Sequence, residues 1–130
     1  MKKQVKKVIM AALISGSVLA TSSVAFAGSA YNKGSGYAGS VGVTGEVGFN
    51  GTSVYATVTA TDYVDAYVED GKAYYVGANG SLTHKDFSGT LSYITYGQVT
   101  TKCDNNVKIV SCTFEISSWD GDWEFYGYAY

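Results

Sequence analysis

From Val41 onward, apolar and polar residues alternate with a period of two, which is the pattern of strands that bury one face. The clearest case surrounds the dipeptide Asn50-Gly51, where valine and alanine fill one side and threonine and tyrosine the other. No stretch after residue 27 repeats apolar residues at the i, i+3, i+4 spacing of an amphipathic helix. The pattern predicts an all-β protein.

Four dipeptides interrupt the alternation and predict tight hairpin turns, because Asn-Gly and Asp-Gly readily adopt the positive φ angles of type I′ turns. These dipeptides are Asn50-Gly51, Asp70-Gly71, Asn79-Gly80 and Asp120-Gly121. A turn centred on the first places Val47 opposite Val54. A turn centred on the last places Ile116 opposite Phe125, so that both pairs point toward the core.

Two more turns complete the predicted architecture, at Gly97-Gln98 and at Asp104-Asn105-Asn106. Together the turns separate about eight short strands. The chain contains no proline, so no strand lacks an amide donor. We therefore expect a single small antiparallel β-sandwich or barrel-like domain over residues 37–130.

The first 27 residues have the three-part layout of a bacterial secretory signal peptide. A basic start, MKKQVKK, precedes a short apolar run, VIMAALI, and Ala25 and Ala27 occupy the A-x-A positions. The apolar run is too short for a membrane-spanning helix of about 20 residues. We expect cleavage after Ala27, an extracellular location and no transmembrane segment in the mature chain. Residues 28–36, GSAYNKGSG, are typical of a flexible leader.

The charge of the remaining chain restricts its partners. Four of the nine lysines lie in the first seven residues, so residues 28–130 keep five lysines against eleven acidic residues, a net charge of −6. There is no arginine. Because nucleic-acid binding depends on neutralising phosphates with basic side chains, we expect no nucleic-acid partner.

Cys103 and Cys112 are the only cysteines, and an even number in an exported chain favours a disulfide bond. A tight turn at Asn105-Asn106 would oppose it, since that turn separates the two residues by roughly 13 Å along the strands. A disulfide requires Cα atoms within about 7 Å. We expect the bond, with residues 104–111 forming a wide loop; the alternative is two free thiols.

Little in the sequence indicates catalysis. His84 is the only histidine and stands in a polar stretch beside Lys85 and Asp86, so we assign it no catalytic role and expect no cofactor. Weak calcium candidates cluster at the last predicted turn, where oxygen ligands occupy alternate positions. They are Asp120, Asp122 and Glu124. Their simpler interpretation is a solvated turn.

Tyrosine is the most informative feature, because all twelve tyrosines follow residue 27. The alternation places six on polar strand faces as candidate binding residues: Tyr55, Tyr67, Tyr74, Tyr126, Tyr128 and Tyr130. Tyrosine also favours strands for structural reasons, which explains the pattern equally well. The functional interpretation is a surface for recognising a partner, since tyrosine binds with little loss of conformational entropy.

These observations predict a secreted bacterial binding protein without enzymatic activity, of the bacteriocin, toxin or surface-ligand type. Its partner would be a protein or carbohydrate on a cell surface. One alternative is a small secreted hydrolase or a hydrolase inhibitor. Another is a self-assembling extracellular matrix protein that joins strand edges.

Overall fold

A computed structural model describes residues 28–130 as an antiparallel, nearly closed, barrel-like sheet; the predicted signal peptide lies outside the described residues. Strands make up 83% of this range, which contains no helix and hence none able to span a membrane. The six strands are β1 (Ser29–Ala38), β2 (Val41–Asn50), β3 (Ser53–Val76), β4 (Leu82–Lys102), β5 (Val107–Ser118) and β6 (Gly121–Ala129). The strand order is β1-β2-β3-β5-β6, with β4 on the remaining side of β3.

The two long strands, β3 and β4, form a ribbon that folds back on itself. One side of β3 pairs with β4 along both halves of the strand, whereas the other side pairs with β2 over residues 53–60 and with β5 over residues 65–75. A break in register between Thr59 and Val64 marks the bend. The two halves of β4 then approach each other, and a Cβ built on Gly89 would lie 2.7 Å from the Val99 side chain.

The sheet has six strands instead of about eight because two predicted turns lie inside strands. Asp70-Gly71 belongs to β3, where Asp70 adopts a φ of 53° and the pairing slips at a bulge. Gly97-Gln98 belongs to β4 and continues the pairing with β3. Only Asn79-Gly80 ends a strand of this ribbon, in the turn between β3 and β4. A positive φ suits a bulge as well as a turn, so the dipeptide alone does not distinguish them.

The β2–β3 and β5–β6 connections lie near their predicted positions, but each register differs from the prediction by two residues. Val47 pairs with Ala56 instead of Val54, and Phe125 pairs with Phe114 instead of Ile116. Because side chains alternate with a period of two, this error leaves every side chain on its predicted face.

Residues 29–36, nearly all of the predicted flexible leader, form most of β1. Gly34 and Gly36 lie against aromatic rings of β6: a Cβ on Gly34 would come within 2.7 Å of the Phe125 ring, and one on Gly36 would overlap Trp123. These glycines therefore make room for the rings of the facing strand. Glycine is common both in flexible segments and where a backbone must approach a neighbouring side chain closely. The glycine content of this segment therefore could not distinguish the two.

The core lies between the β1–β2 side and the β5–β6 side of the sheet. Val47 of β2, Val54 of the adjoining β3, and Phe114 and Ile116 of β5 have essentially no exposed surface. The Phe114 ring stacks on Phe125 with centroids 5.6 Å apart. Burial of such apolar side chains is the main stabilising contribution in a domain of this size.

The predicted disulfide is absent, and both cysteines are free, buried thiols. A short connection over residues 103–106 joins β4 to β5, and Cys112 lies well inside β5. This is the tight alternative, in which the strand separates the thiols beyond bonding distance. Burial raises the pKa of both thiols above the ordinary value, most strongly for Cys112.

Candidate recognition surface

Five of the six predicted binding tyrosines share the outer face of β3, β5 and β6, which we call the tyrosine face. They are Tyr67, Tyr74, Tyr126, Tyr128 and Tyr130. Tyr126 is only 5% exposed, and Tyr130 alone among the five is largely exposed. The rings of Tyr128 and Tyr130 stack on each other with centroids 5.4 Å apart. Most of this face is therefore only partly displayed to solvent.

The sixth predicted residue, Tyr55, lies apart from the tyrosine face, on the half of β3 that pairs with β2. Its hydroxyl donates a hydrogen bond of 2.8 Å to Glu46. Burial, together with this bond and the nearby negative charge, raises the pKa of Tyr55 to about 12. Its hydroxyl is thus already engaged within the sheet.

Five exposed aromatic rings gather instead at the end of the molecule where the β3–β4 ribbon bends, which we call the aromatic end. Its members are at least half exposed: Tyr37, Tyr63, Tyr93, Tyr96 and Trp119. None of them is among the six tyrosines predicted to bind a partner. The turns joining β1 to β2 and β5 to β6 lie at the same end.

Two rings of the aromatic end stack at the bend itself. Tyr63 and Tyr93 have centroids 4.2 Å apart and planes only 7° from parallel. Tyr93 adopts a φ of 52°, a left-handed conformation that is rare for a bulky residue. Its amide donates a 2.8 Å hydrogen bond to Asp65, and the Tyr63 amide donates one of 2.8 Å to Asp62. Backbone strain of this kind is concentrated at functional sites in proteins.

Two turns hold Trp119 close to the end of β1. Ser40 donates a 2.7 Å hydrogen bond to the Asp120 carboxylate, and Ser118 donates one of 2.5 Å to the carbonyl of Ala38. Trp119 is nevertheless not buried against β1, since it is 101% exposed. The ring therefore projects from an anchored turn.

An open groove of about 360 Å³ adjoins the aromatic end on the outer surface of β1, β2 and β3. Tyr37 and Thr61 flank it, and Gly42 between them carries no side chain to fill it. Hydroxyl groups line its floor and walls. They belong to Ser35, Thr44, Thr59 and Thr61. Tyr96 pairs with Thr59 and so borders the groove.

Charged side chains are distributed unevenly between the two ends of the sheet. The bend and its adjacent turns carry four carboxylates, from Asp62, Asp65, Asp120 and Asp122. Four of the five lysines lie toward the opposite end: Lys72, Lys85, Lys102 and Lys108. The fifth, Lys33, is in the middle of β1 opposite Glu46. Within residues 28–130, the aromatic end thus holds acidic residues and no lysine.

The weak calcium candidates do not form a ligand set. Among the described residues, no group of three or more histidine, cysteine or acidic side chains is arranged to hold a metal ion. Asp120 accepts the hydrogen bond from Ser40 described above, while Asp122 and Glu124 lie opposite Ser117 and Glu115 on β5.

His84 lies far from the aromatic end, near the turn between β3 and β4. Its Nε2 is 3.4 Å from the Asp86 carboxylate, and its ring is 5.6 Å from that of Tyr74. Its side chain is exposed, as are Asp86 and the salt bridge of 2.9 Å from Asp86 to Lys72. This arrangement is an exposed polar cluster across β3 and β4.

Sequence reasoning missed the aromatic end because its rings come from four separate places in the chain. Tyr37 fell next to the supposed leader, and Tyr93 and Tyr96 fell in a stretch whose bend carries no turn dipeptide. The position of Trp119 directly before the last predicted turn was the one signal that could have indicated an exposed ring. No protein-family model, curated protein or solved structure matches the chain.

Proposed function

We propose that the protein is an exported bacterial binding protein without enzymatic activity, and that the aromatic end is its recognition surface. The observation that carries this proposal is the set of five exposed rings at one end of the sheet. Large exposed apolar patches are uncommon on monomeric proteins and usually mark interaction sites. Tyrosine and tryptophan also contribute a large share of binding energy at interfaces.

The rigidity of the aromatic end supports this assignment. Tyr37 and Tyr96 stand on paired strand residues, and Trp119 stands on the turn held by the bonds from Ser40 and Ser118. A surface that is fixed before binding loses less conformational entropy when its partner arrives. At the bend, the backbone amides of the stacked Tyr63 and Tyr93 are fixed by hydrogen bonds to Asp62 and Asp65.

The absence of enzymatic activity is part of the proposal, and His84 is the residue that tests it. The sole histidine is exposed and engaged with Asp86 and Tyr74, at the opposite end from the exposed rings. We therefore expect His84→Ala to retain full cell binding and biological activity. A large loss of activity in a folded His84→Ala variant would contradict the proposal.

Binding to cells and to a glycan array tests the location of the surface. Fluorescently labelled protein comprising residues 28–130 would be compared with Trp119→Ser and Tyr96→Ser. Tyr31→Ser is the matched control, because Tyr31 and Tyr96 are both 63% exposed but Tyr31 lies toward the other end of β1. We expect both aromatic-end variants to lose roughly tenfold or more in affinity and the control to match the parent.

The tyrosine face provides the competing location within the same experiment. Tyr130→Ser removes its one largely exposed ring and leaves the aromatic end intact. Loss of binding in Tyr130→Ser, with Trp119→Ser and Tyr96→Ser unaffected, would move the recognition surface to the tyrosine face. Thermal melts of each variant would separate loss of binding from loss of folding.

Self-assembly is a second candidate function, and the outer edge of β4 favours it. Within the described chain, β4 pairs only with β3 along 21 residues, so one edge of a long strand has no ladder partner. Edges of this length can pair with another chain unless charges or bulges protect them. The copies would then join through their β4 strands.

Light scattering over a range of protein concentrations tests this second candidate. Thr90→Lys places a charge on the exposed edge strand, where lysine commonly blocks edge pairing. We expect assembly of the parent protein and its suppression in Thr90→Lys if the β4 edge mediates it. A parent protein that stays monomeric at all concentrations would eliminate self-assembly.

A further inference from the structure

We infer that the partner of the aromatic end is a cationic polypeptide segment bearing arginine or lysine side chains. This inference rests on the function proposed above and concerns only the chemistry of the partner. Its starting point is the coincidence of two independent features, the exposed rings and the uneven distribution of charge.

The charged residues are segregated between the two ends of the sheet. Acidic and basic residues are interspersed at the lysine-bearing end, where Lys72 pairs with Asp86 and Lys102 precedes Asp104. The aromatic end instead combines its four aspartates with no lysine among the described residues. Such segregation produces a local negative potential that attracts cations and repels anionic polymers.

The exposed rings, like the negative charge, favour a cationic partner. The face of a tyrosine or tryptophan ring attracts guanidinium and ammonium groups through its quadrupole. At the bend, the stacked rings of Tyr63 and Tyr93 are flanked by the carboxylates of Asp62 and Asp65. Each carboxylate accepts one amide hydrogen bond there and retains capacity for further donors. A guanidinium group could thus meet a ring and a carboxylate together.

The groove beside Tyr37 offers the remaining contacts for such a side chain. Its volume of about 360 Å³ accommodates an extended side chain, whose methylene groups would pack on Tyr37 over the gap at Gly42. The hydroxyl oxygen of Thr59 can accept a hydrogen bond from its nitrogen atoms, and that of Thr61, which accepts one bond from the Gly42 amide, keeps a second lone pair. A neutral glycan could also occupy this groove, but it would gain nothing from the segregated charge.

Fluorescence anisotropy with defined probes tests the inference. The probes are three labelled octapeptides that alternate glycine with arginine, serine or glutamate, measured in 20 mM and 300 mM NaCl on residues 28–130. We expect the arginine peptide alone to bind, with its affinity falling about tenfold or more at high salt. Equal binding of the arginine and serine peptides, or salt-independent binding, would overturn the inference.

Variants distinguish a specific site from general attraction to an acidic protein. Asp62→Asn and Asp104→Asn remove the same charge, but Asp62 lies at the bend and Asp104 between β4 and β5. Tyr96→Ser and Tyr31→Ser form the equivalent aromatic pair. We expect Asp62→Asn and Tyr96→Ser each to weaken arginine-peptide binding roughly fivefold and the two controls to leave it unchanged. Equal losses in each pair would refute the site.

Cell binding separates failure of the inference from failure of the proposed function. If Trp119→Ser loses cell binding while Asp62→Asn binds normally at any salt concentration, the aromatic end recognises an uncharged partner and the inference is wrong. Tighter binding of a neutral glycan than of the arginine peptide leads to the same conclusion. If Trp119→Ser also binds cells normally, the proposed function itself fails.

Discussion

Two regions help to close the sheet by different means. One is the contact between β1 and β6, and the other is the folded ribbon of β3 and β4. At the first, which we call the seam, strands at the two ends of the strand order pack together without pairing. Gly34 and Gly36 leave space there for Phe125 and Trp123. In the ribbon, pairing stops at the bend and resumes beyond it, and the backbone conformation of Tyr93 and the slips in register accompany the change of direction.

The difference indicates which substitutions each region tolerates. The seam depends on side-chain volume, because rings of one strand fill the space left by glycines of the other. The bend depends on dihedral angles, because one residue holds a conformation that most side chains disfavour. Changes in volume should therefore affect the seam most, and changes in backbone preference should affect the bend most.

The largest expected effect comes from Phe125→Ala. Phe125 stacks between Phe114 and Trp123, with centroids 5.6 and 5.9 Å away, so its removal leaves a cavity in the seam. We expect the free energy of unfolding to fall by about 3–5 kcal/mol, measured by urea denaturation. Tyr128→Ser, on the opposite face of β6, should cost about 1 kcal/mol or less. The reverse order would show that β6 is inside out.

Gly36→Ala should have the next largest effect on stability. The added methyl group would overlap the indole of Trp123 and force β1 away from β6. Overpacking of this kind costs about 1–3 kcal/mol. Gly28→Ala is the control, because no atom lies within 4 Å of the position that its Cβ would take. Equal melting temperatures for the two variants would contradict the packing of the seam.

Glycine and alanine at position 93 test the bend. Both substitutions remove the ring, so they differ only in backbone preference. Because position 93 has a φ of 52°, which glycine adopts more readily than alanine, Tyr93→Gly should be more stable than Tyr93→Ala by about 1 kcal/mol. At Tyr96, whose φ is not positive, the order should reverse, since glycine weakens an ordinary strand by roughly 0.5–1 kcal/mol relative to alanine. The same order at both positions would show that the bend is not strained.

Labelling the two cysteines compares how readily the two regions open, without any substitution. Cys112 lies on β5 opposite Gly127 of β6, and Cys103 follows the last residue of the ribbon. Because burial raises the pKa of both thiols, maleimide should label the native protein slowly and the denatured protein at both positions. We expect Cys103 to react before Cys112, whose exposure requires strands to separate. If neither cysteine is labelled after denaturation without reductant, the two thiols are joined in a disulfide, contrary to the structure.

The period-two alternation was enough to predict the all-β class and the inner and outer faces of the paired strands. Phe114 and Phe125 point inward as expected although their register was misjudged, because an error of two residues preserves the face. The excess of acidic residues was equally visible in the composition. These properties are local or additive, and they do not depend on which strands meet.

The strand count, the role of the leader and the cysteine chemistry required the tertiary structure. Asp70-Gly71 has the same local preference in a bulge as in a turn, and only pairing on both sides of β3 selects the bulge. Gly34 and Gly36 serve β1 only because Phe125 and Trp123 face them. In each case a contact distant in sequence outweighed a weak local preference.

The aromatic end depended most on the tertiary structure. Residues as distant as Tyr37 and Trp119 share it because the ribbon folds over and two turns bond to each other. The sequence by itself determined how many tyrosines the chain has and which alternate with apolar residues. The bend determined which rings are exposed together with the aspartates, because exposure depends on where neighbouring strands end, and periodicity carries no information about that.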